Sequence, residues 1–157
     1  MKNSVNSNMY ETTLNSIWSL YGEYIHGERQ AFVVILSSAP LSTLAHSALQ
    51  SSFERLRYGK AAVTFVQLSL TPDSISLSSK ELCVLLEGLD PKILIICDKK
   101  AAHVCARSYH QEISLDTRLR IFGREARVFS SFEALLTNPS NKQKAWALLK
   151  SLPKLSS

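Results

Sequence analysis

Apolar residues recur along this chain in two rhythms, and the switches between them mark its elements. Tyr10, Leu14, Ile17, Trp18, Tyr21 and Ile25 fall three and four apart, which predicts an amphipathic helix from Met9 to His26 that Gly27 stops. The rhythm then changes. Ala31 to Leu36 (AFVVIL) is continuous, β-branched and too short for a helix, so it reads as a strand covered on both faces. Ala62 to Leu68 (AVTFVQL) and Lys92 to Cys97 (KILIIC) read the same way, with Val33, Ile35, Val63, Phe65, Ile93 and Ile95 expected at the sheet centre.

Helical spacing fills the intervals between these runs. Pro40 fits a first helical turn, and Leu41, Leu44, Ala45, Ala48, Ser52 and Leu56 continue from it to about Tyr58, where Gly59 ends the helix. Ser69 to Leu77 is a Ser/Thr/Pro/Asp loop. Ser78 and Glu81 form a capping box ahead of a helix from Ser79 to Gly88. Asp98 is placed to cap another, from Lys99 to His110. Leu119 to Phe122 and Ala126 to Phe129 are short strand candidates around Gly123-Arg124, either a hairpin or one bent strand. Ser130 and Glu133 make a second capping box, and Asn138-Pro139 opens a last helix that turns Ala145, Trp146, Leu149 and Leu152 inward.

Strands and helices therefore alternate, which predicts one α/β domain over residues 1–157 with a polar tail at 1–8. Its architecture is expected to be three-layer α/β/α around a four-stranded, mainly parallel sheet in the order 2-1-3-4. Ligands of such sheets bind beyond the carboxyl ends of the strands. Here that end is built from Ser37 to Pro40, Ser69 to Asp73, Asp98 to Lys100 and Ser130 to Phe132.

Charge adds a direction to this picture. Net charge is +5, yet Met1 to Pro91 carries 6 Lys/Arg against 8 Asp/Glu, whereas Lys92 to Ser157 carries 12 against 5. A basic half-domain points to a polyanionic partner, the alternative being a solvated basic surface. Lys99 and Lys100 open the helix after the strongest strand, where free backbone N–H groups favour an anion. Arg107, Arg124 and Arg127 are candidates to extend that track. Ser37, Ser38, Gln67, Asp98, Ser130 and Ser131 are expected on the pocket rim.

Chemistry is constrained mainly by what the motifs lack. GxGxxG, Walker A, GxSxG and HExxH are all missing. His26, His46, His103 and His110 share no metal-ligand spacing, although His103 and His110 can share a helix face. Cys83, Cys97 and Cys105 are odd in number and sit in apolar segments, so they read as buried thiols in a reducing compartment. A Cys–His pair from Cys97 or Cys105 with His103 is the reactive alternative. Trp18 and Trp146 lie on apolar stripes and read as core anchors. No apolar run reaches the length of a membrane span, and the polar start has no signal-peptide pattern. A cytoplasmic protein with no metal, cofactor or membrane partner is expected.

Leu89 to Arg107 (LDPKILIICDKKAAHVCAR) resembles the third strand and helix of the uracil-DNA glycosylase superfamily. Val63 to Ser74 (VTFVQLSLTPDS) resembles its second strand and loop, with Gln67 near the Asn that reads the uracil edge. Ser130 to Leu152 resembles the final helix of that superfamily, and also the end of the non-enzymatic psi subunit of bacterial DNA polymerase III. Two departures bear on activity. Ser37-Ser38-Ala39-Pro40 stands where the glycosylases present a Gly-rich motif, often with a water-activating carboxylate. Phe129-Ser130-Ser131-Phe132 stands where they often present a His that stabilises the departing base. No Fe–S cysteine set is present. The resemblance thus implies a non-catalytic, bacterial relative that binds DNA or a replication or repair protein. The alternatives are a diverged base or nucleoside hydrolase, and a protein-interaction scaffold without nucleic acid.

Overall fold

A computed structural model describes residues 13–30, 32–58, 62–71 and 73–153. The expected tail at 1–8, the start of the first helix at Met9 and the helix stop at Gly59 lie outside the described residues. Helix α1 (13–21) leads through a 3₁₀ turn, Gly22–Tyr24, into strand β1 (Ile25–Gly27). There follow β2 (Val33–Ser37), α2 (Thr43–Arg55), β3 (Val63–Gln67), α3 (Ser79–Leu89), β4 (Ile93–Ile96) and α4 (Lys99–Tyr109). The chain closes with β5 (Thr117–Ile121), β6 (Arg124–Val128), α5 (Phe132–Leu135) and α6 (Pro139–Lys150).

The class is α/β, but the sheet is larger than four strands. Among the described residues it is six-stranded and mixed, in the order β1-β3-β2-β4-β6-β5. β3, β2, β4 and β6 pair in parallel, and antiparallel strands close both edges, β1 on β3 and β5 on β6. The parallel strands are apolar on both faces because helices cover both. Val34, Leu36, Leu94 and Ile96 face a cluster with Leu14, Ile17, Leu82, Leu86 and Cys105 from α1, α3 and α4. Val33, Ile35, Ile93 and Ile95 face Leu49, Phe53, Phe132 and Leu149 from α2, α5 and α6. Ile95 is fully buried, so truncation to Ala costs about 2–5 kcal/mol through lost burial and a cavity.

Four local expectations are corrected. The first helix does not reach His26, because Ile25 is drawn into an antiparallel pair with Val66. Gly27 is thus no helix stop. It adopts φ +127°, and a Cβ there would lie 2.6 Å from the Val63 carbonyl oxygen, so its small size admits the β1–β3 approach. Pro40 stands outside α2, whose N-cap is Ser42, accepting from the Ala45 N–H. Leu44 of that helix is 62% exposed, and Ala45, Leu49 and Phe53 point inward instead. Finally, the cap of α5 is Ser131 rather than Ser130, since Ser130 gives its N–H and hydroxyl to Asp116.

Other signals have a direct structural counterpart. The Ser78/Glu81 capping box is complete, Asp98 caps α4, and Asn138 with Pro139 opens α6. β5 and β6 form a hairpin whose turn residues, Phe122 and Gly123, both have positive φ (49° and 84°), as the tightest hairpin turn requires. The Phe122 ring rests on Tyr109, with centroids 5.4 Å apart.

Candidate functional site

Parallel pairing delivers the ends of β2, β4 and β6 side by side, and a cleft of about 400 Å³ opens there. Ser38, Asp98, Lys99, Lys100, Ser130 and Ser131 line it, so six of the sequence-derived candidates meet in one place. Main-chain bonds lock its walls. Lys99 N–H donates to the Ser130 carbonyl at 3.2 Å and Phe132 N–H to the Cys97 carbonyl at 2.8 Å.

Asp98 is the hub of this cleft. Its Oδ1 accepts from Ala101 N–H and its Oδ2 from Ser38 N–H, both at 2.9 Å. The carboxylate therefore occupies the helix N-terminus where an external anion was expected, and it ties β2 to α4. Polar groups in and near the cleft are also engaged. Ser37 Oγ donates to the Ala39 carbonyl at 2.7 Å, Ser131 Oγ accepts from Ala134 N–H, and Glu133 Oε2 accepts from Ser42 N–H at 3.2 Å. Burial pushes the Cys97 thiol far above its ordinary range, reinforced by Asp98 and Glu133, and pushes Cys105 up to about 12. Burial thus disfavours the thiolate, the reactive form, at both positions. His103 is exposed on the outer side of α4, and His110 forms its left-handed C-cap.

Gln67 and Ser37 line a different cavity, of about 90 Å³, with His26, His46 and Phe65. The His46 ring stacks on Phe65 at 3.9 Å between centroids. Arg107 is exposed in the last turn of α4. Arg124 and Arg127 are not on the strand-end surface. Arg124 starts β6, at the opposite end of the parallel strands, and binds Glu87 at 2.7 Å, Asp90 at 2.9 Å and the Pro91 carbonyl at 2.8 Å. Arg127 is buried and donates to Ser151 Oγ, the Ser151 carbonyl and the Ala126 carbonyl, each at 2.8 Å.

A larger cleft, about 740 Å³, adjoins the first at Ser130, which lines both. It lies between α6 and the β5–β6 hairpin, and sequence reasoning missed its cations, Arg118 and Lys144. The available signal was the alternation Thr117-Arg118-Leu119-Arg120-Ile121. It turns Leu119 and Ile121 to one core and the two arginines to the α6 side. Asp116 also lines this cleft, but its Oδ1 accepts from the Ser130 N–H and hydroxyl at 3.0 and 3.3 Å. Lys99, Lys100, Arg118 and Lys144 form no ion pair among the described residues. The described residues contain no group of three potential metal ligands and no helix long and apolar enough to cross a membrane.

The sequence matches no protein-family model and no curated protein.

Proposed function

We propose that this chain is a non-catalytic α/β module, glycosylase-like in fold, that holds DNA backbone in a replication or repair setting. One observation carries the reading. Four cations without carboxylate partners line two clefts that meet at Ser130, while the acids among them are already bound by the chain's own N–H and O–H groups. Four cations stand there against three carboxylates, so an entering phosphate meets a net positive charge with none of these cations tied up in an ion pair among the described residues. The non-catalytic part is supported by Asp98, whose two oxygens each hold a backbone N–H, and by the burial of the Cys97 thiol, which opposes its ionisation. Neither is poised to activate water or attack a base.

Such binding is sequence-independent and strongly salt-sensitive. Each neutralised phosphate contributes a slope of about −0.7 on single strands or −0.9 on duplex in log K against log salt. Fluorescence anisotropy of a labelled oligonucleotide across a salt series measures this. The double change Lys99→Ala with Lys100→Ala is expected to lower affinity equally for unrelated sequences and to flatten the slope by up to about 2. An unchanged slope removes these lysines from the interface. Release of free uracil by the purified protein refutes the non-catalytic assignment.

A further inference from the structure

We infer that the larger cleft takes an unpaired nucleotide of a single strand, base inward and phosphate at the rim, an inference that rests on the nucleic-acid reading above. Backbone contact alone needs only cations, and this cleft offers more. Its lining includes an apolar group, Phe129, Leu135, Ala147 and Leu148, of which Phe129 is fully buried. Arg118 and Lys144 stand on its rim, both exposed and without an ion pair among the described residues. An apolar group of side chains with two exposed cations in the same cleft fits a flat, weakly polar base joined to a phosphate. A base stacked and paired inside a duplex cannot enter. The volume of about 740 Å³ is ample for one nucleotide, lying within the usual range for small-ligand sites of about 300–1,000 Å³.

Asn141 adds a polar group suited to a base edge. It lies in the first turn of α6, where its N–H is taken by Asn138 Oδ1 at 2.8 Å. Its own carboxamide has no protein partner among the described residues and lines the cleft. A carboxamide both donates and accepts, as the edges of bases do. The cleft's acid, Asp116, is turned toward Ser130, and its one charge stands against the two cations Arg118 and Lys144.

The test compares a short labelled oligothymidylate with a duplex of equal length, by anisotropy at low salt. The single strand is expected to bind more tightly. Ala147→Leu fills the cleft from an exposed position on α6 with a helix former second only to Ala. It is expected to weaken single-strand binding about tenfold while leaving duplex binding unchanged. Arg118→Ala is expected to weaken both ligands and to flatten the salt slope by about 1. Circular-dichroism melts of both variants verify that they fold. Equal binding of the two ligands, with Ala147→Leu altering neither or both alike, overturns the base pocket and leaves the backbone reading standing. Absence of binding to either nucleic acid overturns both. Labelled polyglutamate that outcompetes the oligonucleotide, and loses its own binding in Ala147→Leu, assigns the cleft to an acidic protein segment instead.

Discussion

Arg118 and Arg127 face each other across the β5–β6 ladder, on the same side of the sheet, and meet opposite fates. Arg127 is 2% exposed, under the end of α6, with its guanidinium shared among Ser151, Glu125 and the Ala126 carbonyl. Arg118, one strand further out, lies beyond that cover and lines the open cleft. Two like charges in register would repel, but Glu125 relieves this by bridging Arg127 at 3.1 Å and Arg120 at 3.1 Å. Equal residues at matched positions thus differ in surroundings: one fastens a helix to the sheet and the other stands exposed at an open cleft. Position relative to a covering element decides which, and charge content does not.

The sharpest way to break this comparison is to remove each arginine in turn. Arg127→Ala is expected to destabilise by about 3 kcal/mol, because it leaves a void, takes the guanidinium from Ser151 and leaves Glu125 with only the exposed Arg120. Arg127→Met, which keeps the aliphatic stem, should lose less. Arg118→Ala should stay within about 0.5 kcal/mol of the parent, as an exposed substitution does. Urea unfolding of the three variants reads the contrast. Comparable losses for Arg118 and Arg127 would erase it.

Arg124 offers an intermediate case with a pH signature. Burial alone would raise the Glu87 carboxyl, yet hydrogen bonds from Arg124 and Tyr109 outweigh it and hold Glu87 below its ordinary 4.5. A depressed folded-state pKa contributes stability that is present above the unfolded value and lost as pH falls through the folded one. The parent should therefore weaken as pH drops from about 4.5 downward. Arg124→Ala should be less stable near neutral pH by about 1 kcal/mol, with a shallower acid limb over that window. Equal acid limbs in the two proteins would show that Glu87 gains nothing from Arg124.

Elements defined by local chemistry were legible in the chain. The Ser78/Glu81 box, the Asp98 cap and the Asn138-Pro139 start depend on residues within one turn, and they act as read. The apolar runs of β2, β3 and β4 depend on burial at both faces, which also leaves a plain mark. β1 left none, because Ile25 fits a helical stripe as well as it fits the antiparallel partner Val66, and only that distant partner decides. The shift from Ser130 to Ser131 as cap has the same origin, since Asp116, fourteen residues earlier, claims Ser130. At the site, Lys99 and Lys100 were visible from their place at a helix start. Arg118, Asn141 and Lys144 were not, because a strand and a helix far apart in sequence supply them to one cleft.

Lys100 carries the smallest expected effect on stability and the most discriminating one for the comparison. It stands in the first turn of α4, exposed and without an ion pair among the described residues. The helix dipole disfavours a cation there, and Asp98 compensates only in part, because its one carboxylate faces two lysines, Lys99 and Lys100. Lys100→Glu replaces an unfavourable charge by a favourable one and should stabilise the fold by about 0.5 kcal/mol at low salt, an increment that fades as salt rises. The same change places a carboxylate in the strand-end cleft and should weaken oligonucleotide binding, flattening the salt slope by about 1. Opposite signs in melting temperature and affinity, measured on one variant, are the signature of a cation kept for a ligand at the fold's expense. A fall in both would instead give Lys100 the role of Arg127, a charge the fold itself requires.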